Sequence, residues 1–342
     1  MYISPERQIM SEDTLDRASL MGKRLGPYHS FNPVSRVQIW QWCSAMGDSN
    51  PLYLDREYHA SHRIENAIAP PTMMQMWTMR DVNMRYAPGS TQAAPYRIFD
   101  DLTKAGYPAN VAVSYDLEFL RYLQEGDRAH HYTTIVDISP LKETALGKGY
   151  FVTEQVEYLD TDDQPFAIAR ITYFQYQPRA EPASGTAAAS SEPDQPAASS
   201  HTWQTDYRDI TTAAVSEGQA LPELTIPITH KLIVSGAVAS QDFIDVHHNL
   251  GAAQDAAMPD IFMNILTTCG LSGRYLSDWA GPGGRLQTLR FKLMAPNTPG
   301  DTMVFQGRVS SVEADHVCVD FGGRNSRGYH VTGSATVRLA DQ

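Results

Sequence analysis

Residues 240–271 read SQDFIDVHHNLGAAQDAAMPDIFMNILTTCGL, and the architecture unfolds outward from them. Beyond the acidic turn at Asp242, apolar side chains fall at Ile261, Phe262, Ile265, Leu266, Cys269, Tyr275 and Leu276. That three-to-four spacing predicts a helix over 260–277, with Asp260 as N-cap and Gly270 and Gly273 weakening its later turns. Apolar residues on more than one side suit a helix that a sheet wraps around. Downstream, valines set between polar and Gly-containing breaks predict strands at 302–313, 316–324 and 328–340. One buried helix followed by an antiparallel run of strands is an α+β arrangement.

The same landmarks occur earlier in the chain. GDSNPLYLD (47–55), IAPPTMMQMWTMRD (68–81) and LEFLRYLQEGD (117–127) give an acidic turn, a Pro-led helix start and a strand closing at Gly-Asp. SQDFIDVHHN (240–249), MPDIFMNILTTCGL (258–271) and LRFKLMAPNTPGD (289–301) repeat that order. Strands are expected near 111–121, 128–139, 148–159 and 165–176 after the first set. Two copies of one unit imply a pseudo-symmetric pair packed against itself. Between them, PRAEPASGTAAASSEPDQPAASSHTWQ (178–204) offers almost nothing large enough to pack, which predicts a flexible tether. The expected organisation is an N-terminal unit over 1–177, a linker over 178–205 and a C-terminal unit over 206–342.

Composition narrows the function. The 342 residues are 42% hydrophobic and carry 27 basic against 39 acidic side chains, a net charge of −12. Such an acidic chain gains little from polyanions, so nucleic acid is not an expected partner. No apolar run approaches the roughly 18 residues that a membrane-spanning helix needs, so no membrane partner is expected. The opening MYISPERQIM bears charges where an export signal would be apolar. Cys43, Cys269 and Cys318 form no metal-ligand spacing, so reduced thiols, a cytoplasmic setting and no metal are expected. Met73, Met74, Met76 and Met79 read as core packing.

Chemistry concentrates beside the helix start. Asp242 and His247 stand five apart, and a carboxylate near an imidazole can share a water and move its proton. Backbone amides at the tip of the following helix would face a carbonyl oxygen gaining negative charge. Together they suit the addition of water across a conjugated thioester. Asp245 and His248 form a competing pair.

These residues resemble the MaoC-like enoyl-CoA hydratases, whose motif runs Gly-Asp-x-Asn-Pro-Leu-His. GDSNPLY matches it with Tyr53 in the histidine position, while Asp242 and His247 keep the interval with a changed interior. Longer stretches, including IFDDLTKAGY, KETALGKGYF and DFIDVHHNLGAAQDAAMPDIFMNILTTCGLSGRYLSDWAG, resemble the two-subunit hydratase of bacterial steroid side-chain degradation. The resemblance implies a double hot-dog, each half an antiparallel sheet wrapped round a long central helix. By the same likeness the first half is silent, with Asp48 and Tyr53 as a degenerate site, and Asp242 and His247 are the catalytic pair. The Asp260 amide would polarise the thioester carbonyl, and Asn264 and Arg274 would bind substrate. The implied reaction is hydration of a steroid side-chain enoyl-CoA, with coenzyme A as part of the substrate and no further cofactor. A homodimer, a separate zinc-ribbon/OB-type protein and a thiolase-like aldolase are the partners this likeness allows. A hot-dog acyl-CoA thioesterase and a non-catalytic acyl-CoA or steroid-binding scaffold are the alternatives.

Overall fold

Alternating buried and half-buried side chains lay out long strands in both halves of the computed structural model, which describes residues 17–179, 206–256 and 258–340. In the first half these are β1 (Leu25–His29), β2 (Ala109–Phe119), β3 (Ala129–Ile138), the two-residue β4 (Lys142–Glu143), β5 (Gly147–Asp160) and β6 (Pro165–Pro178). In the second they are β7 (Leu224–Pro227), β8 (Arg285–Leu293), β9 (Thr302–Val312), β10 (His316–Asn325) and β11 (Gly328–Arg338). All pair antiparallel in one sheet ordered β1-β3-β5-β6-β2-β8-β11-β10-β9-β7, with β4 against β5. Each half puts its first strand at a rim and its second strand at the middle, so the order mirrors itself about the β2–β8 seam. Across that seam Asp116 opposes Arg290 and Leu117 opposes Leu289, pairs of the kind that stabilise a ladder. The α+β double hot-dog expected from the sequence is the observed fold, except that among the described residues the second half alone has the long central helix expected of each.

The central helix runs Ile265–Ala280 and is buried along nearly its whole length. Its start departs from the sequence reading, which put the N-cap at Asp260. Asn264 caps it instead, its side-chain oxygen accepting from Thr267 N at 2.8 Å. Just before it, Met263 N donates to the Asn297 carbonyl at 3.0 Å, an acceptor outside the helix that holds this stretch extended. Gly270 and Gly273 do not end the helix. A Cβ at Gly270 would lie 2.8 Å from Met46 Sδ and Trp42 Cζ2, and one at Gly273 would lie 2.6 Å from Thr72 Cγ2. Absent side chains there let the first half close onto the helix.

The first half also departs from expectation. Residues 68–80 form two 3-10 turns, Pro71–Met73 and Met76–Thr78, rather than a long helix. From Pro71 to Thr78 all side chains but Gln75 are buried, so no single apolar stripe forms. The methionines Met73, Met74 and Met76 are core, as read. A short helix, Arg97–Lys104, covers a separate small cluster built on Ile98, Leu102, Ile135 and Val152. Residues 180–205, nearly all of the stretch read as a linker, lie outside the described residues. Among the described residues no helix is long and apolar enough to cross a membrane.

Candidate active site

The second-half site is assembled by a helix end, a turn and a helix start. The helix His230–Ala239 ends at Ser240, and Gln241 takes a left-handed φ of 55° that reverses the chain. Asp242 N then donates back to the Ala237 carbonyl at 2.9 Å, fixing where the aspartate emerges. A 3-10 turn, Asp245–His247, brings the imidazole round to face it. His247 Nε2 lies 3.7 Å from Asp242 Oδ2, with the two side chains 10% and 13% exposed. That exposure shields the pair while leaving it reachable.

Hydrogen bonds set the orientation of both groups. His247 Nδ1 sits 2.7 Å from the Phe262 carbonyl, which can only accept, so Nδ1 carries the proton and Nε2 is the nitrogen turned to Asp242. Asn264 holds the aspartate. Its oxygen is committed to capping Thr267 N, so its amide nitrogen must point away, donating to Asp242 Oδ2 at 2.9 Å and to Ser240 Oγ at 3.0 Å. Ser240 in turn donates to the Ala237 carbonyl at 3.2 Å. Two acceptors, a carboxylate oxygen and a ring nitrogen, thus face one gap. A water there can donate one hydrogen to each and keep a lone pair for attack. The tip of the central helix lies beside them, and its first-turn amides of Ile265 and Leu266 have no acceptor within the helix.

The expected residues are placed unequally. Asp242, His247 and Asn264 meet in one corner. Asp260 does not join them: it precedes the helix by five positions and its carboxylate lies 3.2 Å from His230 Nε2. Asp245 and His248 are also 3.7 Å apart, but their side chains are 71% and 41% exposed, so the competing pair is a solvated one. Arg274, expected to bind substrate, points elsewhere. It donates to Asp278 Oδ2 at 3.3 Å and to the Met46 carbonyl at 2.9 Å, nearly three helical turns from Asn264.

Arg274 belongs to the first-half counterpart. There Gly47, with φ 65°, turns the chain as Gln241 does, and Asp48 N donates to the Cys43 carbonyl at 2.8 Å. Asp48 Oδ1 accepts from Asn50 N at 3.0 Å, and Tyr53, fully buried, donates to Ser277 Oγ at 3.4 Å. Asp48 also lies against Asp278, and burial pushes both carboxyls above the usual range, each reinforced or relieved by the neighbouring acid and Arg274. Sequence reading missed Ser240, the Phe262 carbonyl and this Asp278 contact.

Comparison with known proteins agrees with this architecture. A family model described as the FAS1-like dehydratase domain region matches residues 19–169. Over 124 residues the chain is 40% identical to the 3-oxo-4,17-pregnadiene-20-carboxyl-CoA hydratase beta subunit of Mycobacterium tuberculosis, covering 36% of this chain and 96% of that one. Over 160 residues it is 35% identical to a probable enoyl-CoA hydratase alpha subunit of Thermomonospora curvata, covering 46% of this chain. The match spans half, 50%, of that alpha subunit's length. Among solved structures, a MaoC-like dehydratase superposes with a TM-score of 0.68 at 18% identity, covering 94% of this chain and 99% of the other, a likeness of fold.

Proposed function

The chain belongs to the MaoC-like enoyl-CoA hydratases, and on that premise we propose that it adds water to an α,β-unsaturated steroid side-chain acyl-CoA. One observation carries the reading: Asp242 and His247 face each other across 3.7 Å beside an amide-bearing helix tip. The thioester carbonyl draws electrons from the double bond and leaves the β carbon electrophilic. As the water oxygen bonds to the β carbon, Asp242 accepts one of its protons and passes it to the α carbon, while His247 Nε2 orients the water by accepting a hydrogen bond from the hydrogen that stays on oxygen. Charge on the thioester oxygen gathers at the first turn of the central helix, where one preformed donor is commonly worth about 3 kcal/mol. This role moves from Asp260, where the sequence put it, to the amides at Ile265 and Leu266.

The first half is proposed to hold the acyl group. The likeness to a steroid hydratase beta subunit and to an alpha subunit supports a chain that joins both roles. Coenzyme A enters as part of the substrate, and no separate cofactor is invoked. The proposal includes a cytoplasmic setting, consistent with three free cysteines.

The test is hydration of a steroid side-chain enoyl-CoA by the purified full chain, followed as loss of the conjugated absorbance. Full activity retained in Asp242→Asn and His247→Ala variants would sink the proposal. Release of free thiol would point to a thioesterase, and binding without turnover to a scaffold.

A further inference from the structure

We propose that the silent half keeps a working mouth: an arginine-lined cavity that binds the phosphorylated nucleotide of a coenzyme A molecule without reacting it. This rests on the acyl-CoA reading above. The cavity, about 470 Å³, is bounded by Ile68, by residues just past β2 including Arg121 and Tyr122, by the start of β8 at Arg285, and by the end of β11 at Arg338.

Its position follows from the mirror order of the sheet. In the second half, Met263 N bonds the Asn297 carbonyl beyond β8, next to the Asp242–His247 corner. In the first half, Ala69 N bonds the Leu123 carbonyl beyond β2 at 2.8 Å, and Ile68 N bonds the Tyr53 carbonyl at 3.2 Å. The same sequence interval separates Asp48 from Asp242, Tyr53 from His247 and Ala69 from Met263. The cavity therefore opens where the approach to a first-half active site would lie.

Its charge is the unexplained part. The β8–β11 register sets Arg285 directly opposite Arg338, two like charges facing across a ladder, an arrangement that ordinarily destabilises. The mirror position in the first half, where β2 begins beside the end of β6, is Ala109 opposite Tyr176, both uncharged. Among the described residues no carboxylate pairs with Arg285 or Arg338 within ion-pair distance, whereas Arg121 is held by Asp127 at 3.0 Å and by Asp160. Two acids stand nearby without pairing with either arginine: Asp209 accepts from Gly283 N at 2.6 Å, and Asp315, 2.9 Å from His316, acts on Arg338 from beyond ion-pair distance. Arg285 spends one nitrogen on the Pro282 and Gly284 carbonyls, at 2.8 and 2.7 Å, and lies 5.8 Å from the Tyr122 ring centroid. Two guanidinium groups beside an aromatic ring suit a phosphate next to a planar base. An anion between the arginines would turn a like-charge clash into paired, charge-assisted bonds.

The probe is labelled adenosine 3′,5′-bisphosphate, counted by equilibrium dialysis against the full chain. Arg338→Gln, which removes no hydrogen bond of the fold, should bind one molecule fewer per chain at concentrations that fill the wild type, its second site being weakened at least about tenfold. Without ligand its melting temperature should match the wild-type value, because Arg285 and Asp315 act on the Arg338 charge in opposite senses. Equal stoichiometry in the two proteins overturns the proposal, and so does displacement of the bisphosphate by an equal concentration of inorganic phosphate. Because the probe has no acyl chain, failure of enoyl-CoA hydration with this site intact would break the activity reading alone, and the reverse pattern would break only this one.

Discussion

The two Asp-bearing corners share a backbone and differ in what surrounds the carboxylate. Both follow a left-handed residue, Gly47 or Gln241, and both tie the aspartate amide to a carbonyl five residues back. In the second half the partners are His247 and Asn264. At the equivalent places in the first half stand Tyr53 and Pro70, which has no N–H and no side-chain amide to offer. Asp48 is left with a backbone amide, a buried acid and an arginine. An aspartate alone does not make such a site; the donor that holds it and the base that faces it do.

Several substitutions would break or sharpen that contrast. The largest effect is expected from Asp242→Asn or His247→Ala, each lowering kcat by about 10²–10⁴ in the enoyl-CoA absorbance assay, the range of general acid–base catalysis. Gly270→Ala should cost about 1–3 kcal/mol in denaturant unfolding, since its Cβ would press on Met46 and Trp42. Asn264 separates two roles: Asn264→Ala should lower stability by about 1 kcal/mol through the lost cap, and activity with it. Asn264→Ser should keep a capping oxygen, lose the donor to Asp242, and so lower kcat with a smaller loss of stability than Asn264→Ala.

A smaller effect tests the silent corner by pH. In the folded chain Asp278 holds its proton well above the ordinary carboxylate range because burial and Asp48 disfavour its charge. The unfolded chain releases that proton above about pH 4, so the stability it contributes is present in acid and lost as pH rises. Between pH 4 and 8 the melting temperature of wild type relative to Asp278→Asn should fall as pH rises. The difference isolates Asp278, because Glu154, raised to about 7, and the buried His131 and His330, which are lowered and act in the opposite sense, are common to both proteins. Finally, Tyr53→His placed in the Asp242→Asn background should restore no hydration, because Pro70 supplies no donor to Asp48. Measurable turnover there would overturn the contrast.

Much of this was legible in the sequence. The long strands fall within a few residues of their expected limits because β-branched and aromatic, half-buried runs have few alternatives, whereas the short β1, β4 and β7 were not anticipated. Asp242 and His247 were readable as a spaced pair. The helix start was not, because Ile261, Phe262 and Met263 keep a helical apolar rhythm while pairing outside a helix through Asn297. The first-half segment 68–80 misled in the same way: Pro70–Pro71 resembles a helix start, but side chains buried on every side favour short turns. Arg274 was taken for a ligand contact because spacing does not reveal that Asp278, four residues on, claims it. Each miss depends on a partner distant in sequence or on a choice between local bonds.

Both outer strands of the sheet contain proline: Pro27 lies in β1 and Pro227 closes β7. A proline has no hydrogen to give a newcomer, so each rim is poor ground for another chain to extend the ladder. Growth into fibrils is thereby discouraged at the two places where a long open sheet is most exposed to it.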